Sequence, residues 1–251
     1  MYTIRHCNTG FPLHEPIKFD TLNTVSTLYI VATPLGNLQD ITYRAVETLK
    51  QVDVVACEDT RRSVKLLNAY GIKKPLLSCH GHNEIKSALR VRELLGEGKK
   101  VAYLSDAGTP GLSDPGAILV RLAREAGFTV LPIPGPSAFA TLLSVAGLKE
   151  TSIHFEGFLG VKQGKRRGRL KVLLERNEPF VLYESVHRIE KLLSELKELA
   201  PERNLFIGRE MTKVFEEYLE GSPEALLSWA REHPERKKGE YTVLVYSGKK
   251  S

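Results

Sequence analysis

The chain has 251 residues, enough for one large domain or two smaller ones that each bury a core. With 42% hydrophobic and 26% charged residues it reads as globular, which excludes disordered, collagenous and coiled-coil classes. Its net charge of +6 hints at a polyanionic partner; no uncharged apolar run reaches the roughly 18 residues of a membrane span, and no signal-peptide pattern opens the chain, so a cytoplasmic protein without membrane contact is expected.

Residues 1–27 carry Asn, Thr, Pro and His without period and are expected to form an extension outside the core. From Leu28 onward, short β-branched runs alternate with helical stretches. Strands are predicted at 28–33, 53–57, 75–79, 101–104 and 129–133, with helices at about 42–50, 60–70, 83–96, 115–127 and 137–146. Thr60 and Asn83 read as N-caps, Asp114-Pro115 as an N-cap followed by proline, and Gly71 and Gly127 as helix ends. The pattern resets near residue 149. Strands follow at about 153–156, 180–184, 204–208, 214–219 and 241–246, with helices at 164–176, 187–199 and 223–232. The expectation is an α/β protein of two αβα domains, 28–148 on a mainly parallel sheet and 149–248 on a mixed one.

Glycine and proline are concentrated in three places. Residues 105–116 (SDAGTPGLSDPG) hold five in twelve, residues 132–136 (PIPGP) hold four in five, and Thr33-Pro-Leu-Gly-Asn37 follows the first strand. All three lie past the carboxyl ends of predicted parallel strands, the edge at which open α/β sheets bind ligands. Small residues there let main-chain groups approach a ligand closely, and Asp106, Thr109 and Ser137 add polarity. Taken singly, each loop could be an ordinary tight turn; three on one edge favour a site.

Other chemistries lack their motifs. The chain has no G-x-G-x-x-G, no G-x-x-x-x-G-K-[ST], no H-E-x-x-H and no G-x-S-x-G. Cys7, Cys57 and Cys79 are too few and too irregularly spaced for a disulfide framework or a zinc site, so no metal is expected.

Residues 162–171 contain six basic residues and no acidic one. Broken by Gly164 and Gly168, the run reads either as a mobile arm for RNA phosphates, through Lys162, Lys165, Arg166, Arg167 and Arg169, or as a solvated helix face. Acid–base candidates cluster at Cys57-Glu-Asp-Thr-Arg61, where Asp59 could instead be a structural partner of Arg61, and at Tyr183-Glu-Ser-Val-His-Arg188.

In order along the chain, LYIVATPLGNLQDIT, CEDTR, SDAGTPGLSDPG, PIPGPSA, EGFLG, KRRGRL, VLYESVHR, GREMTK and KGEYTVLV resemble the 16S rRNA (cytidine-2'-O)-methyltransferases of the tetrapyrrole methylase superfamily, from about Leu28 to Val245. Cys57 stands where that family more usually has alanine. The resemblance implies a homodimer of two-domain chains, with S-adenosylmethionine in the cleft between the domains. It further implies methyl transfer to a ribose 2'-oxygen in the 16S rRNA of the small ribosomal subunit. Leu35 and Gly36 then fall on the first cofactor loop, Asp106, Ala107, Gly108 and Thr109 on the second, and Ser137 and Ala138 on the small pair after the fifth strand. Tyr183 or Glu184 covers the cofactor from the second domain, and Gly239 and Glu240 precede the last strand near it. Glu58 or Asp59, Glu184 and Lys213 are the expected aids to deprotonating the hydroxyl, while Asp106 is expected to position the cofactor. Two alternatives remain at this point: a small-molecule methyltransferase acting on a tetrapyrrole-like ring, and a non-catalytic rRNA-binding assembly protein.

Overall fold

A computed structural model of the chain describes residues 26–81 and 83–247. Most of the predicted extension, residues 1–25, and the last residue of the second predicted domain, Gly248, lie outside the described residues. Thr27 belongs to the core, as the buried first residue of a strand.

The first half forms a five-stranded, wholly parallel sheet. Its strands are β1 (Thr27–Val31), β2 (Val54–Cys57), β3 (Leu76–Ser78), β4 (Val101–Leu104) and β5 (Thr129–Ile133), in the spatial order β3-β2-β4-β1-β5. Alternation within the strands sends Val31, Val55, Ala102 and Leu104 to one face, against Leu49 of α1 (Tyr43–Gln51) and Leu66 and Leu67 of α2 (Thr60–Ala69). Leu28, Ala56, Val101 and Tyr103 take the other face, against Val91 and Leu95 of α3 (Glu84–Gly96) and Leu119 and Ala123 of α4 (Ala117–Glu125). The three strands followed by Gly/Pro-rich loops, β4, β1 and β5, are spatial neighbours, so those loops emerge side by side.

The second sheet is mixed, in the order β6-β7-β10-β8-β9. Its strands are β6 (His154–Phe158), β7 (Phe180–Ser185), β8 (Arg203–Arg209), β9 (Glu217–Gly221) and β10 (Glu240–Ser247). β6 and β7 run parallel and the remaining pairs antiparallel. One face is covered by α6 (Gln163–Glu175), α7 (Ile189–Leu199) and α8 (Pro223–Glu232). In α7 the buried Ile189, Leu192, Leu193 and Leu196 follow the i, i+3, i+4, i+7 spacing of a single apolar stripe. The opposite face, with Val181 and Leu244, packs on Leu142 of α5 (Ala138–Ala146). The helix that follows the last strand of the first sheet thus covers the second sheet and fastens the two together.

Several local expectations are corrected. Asp59, not Thr60, caps α2, accepting the Arg61 N–H at 2.8 Å. Asn83 precedes α3, but its side-chain oxygen takes the His80 N–H, so it closes the preceding turn instead of capping the helix. α4 starts at Ala117 behind Gly116 (φ +123°), where an added Cβ would lie 2.6 Å from the Tyr103 ring. The Glu84 carboxylate of α3 accepts the N–H groups of Gly116 and Ile118, at 2.9 and 3.1 Å. That acceptor supplies the cap expected from Asp114 and leaves the Asp114 carboxyl for another use. β9 begins at Glu217 and not at Val214, because Glu210 and Thr212 take positive φ (49° and 67°) in a turn preceding it.

Candidate functional site

The three neighbouring loops are stitched into one surface. Thr33 and Gly108 exchange main-chain hydrogen bonds of 2.8 and 3.0 Å, an isolated bridge that ends β1 earlier than predicted. The Thr33 hydroxyl donates to the Ser105 carbonyl at 3.2 Å, and the Thr109 hydroxyl to the Pro136 carbonyl at 3.0 Å. Facing them, β7 and β10 pair so that Tyr183, Glu184 and Ser185 lie opposite Thr242, Tyr241 and Glu240. Between the two surfaces opens a cleft of about 840 Å³, its mouth included. Leu35, Ala107, Gly108, Thr109, Ser137, Ala138, Tyr183 and Glu184, each singled out from the sequence, line it together.

The halves also touch directly at its margins. The Phe139 N–H, at the start of α5, donates to the Tyr183 hydroxyl at 3.1 Å. The Tyr183 ring is wedged edge-on between Phe155 and Phe158, with centroids 5.0 and 5.6 Å away. Gly36 is packed against the Lys213 stem, and Gly157 of β6 against the Ser113 hydroxyl, each so closely that a Cβ would not fit. Where the glycine-rich loops meet the second half, they meet it without clearance.

Glu184 and Thr242 are buried polar residues of the cleft wall, 2% and 4% exposed. The Oε1 of Glu184 accepts the Ser185 N–H at 2.8 Å and lies 3.2 Å from the Arg188 guanidinium, while its Oε2 has no partner. Burial raises its pKa, with the Ser185 N–H and then Arg188 opposing. That second oxygen is sealed from solvent, because Glu184 shares the strand face of Phe180, Leu182 and Tyr241 that α6, α7 and α8 cover. Its carboxylate faces Arg188 and Arg166, which corrects the expectation that it aids deprotonation in the cleft. The rest of the lining is largely apolar: Leu35, Leu112, Ala138, Phe158 and the Tyr183 ring. S-adenosylmethionine, with an adenine ring and a ribose among its polar groups, suits this apolar and Gly-rich surround.

Other expected site residues lie elsewhere. Gly36 and Asp106 line an adjoining, more polar recess with Arg62 and Lys65, and Leu35 is the wall shared by the two. Glu58 lies outside the cleft lining, its Oε2 accepting the Asp106 N–H at 3.4 Å; burial first and the Asp106 charge second raise its pKa. Asp59 is held down to about 2 by its hydrogen bonds from Arg61, the structural pairing that the sequence left open. Lys213 bridges Glu210 at 2.8 Å and Glu240 at 3.0 Å; those carboxylates outweigh its burial and raise its pKa, so it is a fixed cation rather than a base. Gly239 (φ +120°) packs against Glu210 behind the cleft, and its neighbour Glu240 lines it.

Sequence reasoning missed Leu112, Asp114, Phe158, Ser185, Tyr241 and Thr242 in the lining. A signal for Asp114 was present in the density of turn residues around it, which is too high for a plain helix start. Tyr241 and Thr242 offered none, because strand register alone brings them beside β7.

The basic run is ordered as α6, which corrects the expectation of a mobile arm. Arg166 is 1% exposed and ion-paired with Glu195 of α7 at 2.8 Å, so it is unavailable to phosphate. Arg167 pairs with Glu198 at 2.6 Å, and Arg169 holds Glu156 through two bonds of 2.6 and 2.7 Å. Acidic partners are missing along the run itself but arrive from α7 and β6. Lys162 and Lys165 remain exposed.

Comparison with known proteins adds three findings. A family model described as tetrapyrrole (corrin/porphyrin) methylases matches residues 27–226. The chain is 49% identical, over 87% of its length and 97% of the relative's, to a protein of Borrelia garinii subsp. bavariensis named ribosomal RNA small subunit methyltransferase I. It is 47% identical, over 89% and 80%, to one of the same name from Haemophilus influenzae. The structure of a cobalt precorrin-4 methyltransferase superposes with a TM-score of 0.65 over 88% of this chain and 94% of the other, at 18% identity, a likeness of fold alone.

Proposed function

The chain belongs to the tetrapyrrole methylase family and is a methyltransferase, and on that premise we propose that its cleft binds S-adenosylmethionine and methylates the ribose 2'-oxygen of a cytidine in 16S rRNA. The observation that carries the substrate is the near-half identity, over almost the whole chain, with relatives named for small-subunit ribosomal RNA. The corrin enzyme shares only the fold, and this supports rRNA over a tetrapyrrole-like ring. The stitched, motif-complete loops speak against a non-catalytic relic.

Leu35, Gly108, Thr109, Ser137, Ala138, Tyr183 and Glu184 are the residues proposed to hold the cofactor, Glu184 through its main chain in β7. When bound, the cofactor supplies a methyl group activated by a positive sulfur. The protein's part is to align the attacking hydroxyl and exclude water, for which fixed geometry can supply roughly 7–11 kcal/mol of the barrier. Phe158, half exposed at the rim, begins the connection that runs to Lys162 and the exposed start of α6. The RNA backbone is proposed to lie along that path, against Lys162 and Lys165. The proposal extends to a homodimer acting in the cytoplasm on the small ribosomal subunit.

The test supplies labelled S-adenosylmethionine with small subunits lacking the modification, with naked 16S rRNA, and with a tetrapyrrole precursor. Label entering either RNA substrate supports the reading. Label entering the tetrapyrrole alone, or no transfer despite cofactor binding, overturns it.

A further inference from the structure

Three acidic residues line the cleft: Asp114, Glu184 and Glu240. Glu184 is tied to Arg188 and Glu240 to Lys213, whereas Asp114 forms no ion pair with the described residues. Its place is enforced by the backbone. Ser113 takes the left-handed conformation (φ +70°), a costly one for a residue with a side chain, and Gly111 and Gly116 are also left-handed (φ +80° and +123°). The Ser113 hydroxyl is seated on Gly157 of the second half, and Glu84 takes over the helix cap that Asp114 would otherwise make. Backbone strain, together with a cap supplied by α3, thus turns one carboxyl into the cleft.

We propose that Asp114 is a catalytic residue that accepts the proton of the attacking hydroxyl. This rests on the reading of the cleft as a methyl-transfer site for a hydroxyl. As the hydroxyl oxygen bonds to the methyl carbon, the methyl–sulfur bond breaks and its electron pair stays on sulfur. The hydroxyl proton passes to the Asp114 carboxylate, which returns it to water after product leaves.

The electrostatic surroundings agree with this role. Burial first, then the Glu58 charge, with smaller contributions from Asp106 and Glu240, push the Asp114 carboxyl up to about 7, against a lowering hydrogen bond from Ser105. Tyr103 and Tyr183 also face it, and the nearby cations are engaged elsewhere, Arg62 by Asp106 and Lys213 by Glu240. A base that titrates near working pH combines availability with proton affinity. The other candidates fit less well: Asp59 is held far too acidic, Lys213 is a paired cation, and Glu58 lies outside the lining.

The test uses wild type, Asp114→Asn and Ser105→Ala with saturating cofactor and small subunits, together with the proteins free of ligand. Wild-type kcat should rise with pH, reach half its plateau near 7 and level off above it. Asp114→Asn should lose about 10²–10⁴-fold in kcat and the inflection with it, while its cofactor Kd stays within about threefold. Ser105→Ala, which removes the hydrogen bond favouring the charged form, should move the inflection to higher pH.

Without ligand, the sign is fixed by linkage. A carboxyl whose folded pKa is raised stabilises the fold fully below its unfolded pKa, and that contribution is lost as pH rises toward 7. Wild-type Tm should therefore fall relative to Asp114→Asn between about pH 4 and 7. An Asp114→Asn enzyme with unchanged kcat or an unmoved inflection overturns the proposal, and so does activity lost only through cofactor binding. If wild type itself modifies no hydroxyl, the reading of the cleft fails first, and the ligand-free Tm series still reports whether Asp114 titrates as stated.

Discussion

The two sheets contribute to one cleft in different ways. The parallel sheet offers backbone: three loops at the ends of adjacent strands, knitted through Thr33, Gly108 and Thr109, with glycine wherever another element comes close. The mixed sheet offers side chains: Tyr183 and Thr242, brought to the same face by the antiparallel pairing of β7 with β10. Main-chain sites need special residues in a row, so they mark the sequence. Side-chain sites built by register need only a strand on each side, and leave little trace.

The difference can be broken at its foundation. Glu195→Leu strands Arg166 as an unpaired buried charge beneath the second sheet and should cost about 3–5 kcal/mol of stability. Adding Arg166→Met should recover most of that loss in a denaturant titration. If Glu195→Leu melts like wild type, the pair is not what holds α6, and Arg166 returns as a candidate for RNA.

A smaller effect is expected where the second sheet meets the ligand. Tyr183→Phe keeps the ring but removes the hydroxyl that the Phe139 N–H meets at the cleft margin. It should weaken cofactor binding by about 0.5–1.5 kcal/mol, the range for an ordinary hydrogen bond, with little change in Tm. The matching change in the first sheet acts through backbone. Gly108→Ala forces a side chain into φ +81° with its Cβ 3.2 Å from Leu35, at about 1–2 kcal/mol. It should lower both Tm and cofactor affinity, and equal behaviour of the two variants would erase the contrast between the sheets.

The smallest effect concerns RNA alone. Lys162→Gln with Lys165→Gln should flatten the salt dependence of RNA binding by about 0.7–0.9 for each phosphate no longer neutralised, leaving cofactor titrations unchanged. A changed cofactor Kd would mean that the start of α6 belongs to the cleft.

Much of this was legible before any coordinates. Each predicted strand and helix has its counterpart, usually within two or three residues, because hydrophobic period and helix punctuation are local signals. The exceptions were decided at a distance. Asp114 read as a helix cap until Glu84, on the preceding helix, proved to fill that role. Arg166 read as an RNA ligand because its partner Glu195 lies on another helix. That α5 would cover the second sheet, and not the first, is a packing choice that its own apolar spacing does not encode.

The central claim, that the cleft methylates a ribose hydroxyl, is tested most directly by digesting labelled RNA product with alkali. A 2'-O-methyl group removes the nucleophile that alkaline cleavage requires, so the label should be recovered in an alkali-resistant dinucleotide whose methylated residue is cytidine. Label released in an ordinary mononucleotide would place the methyl group on a base and contradict the account.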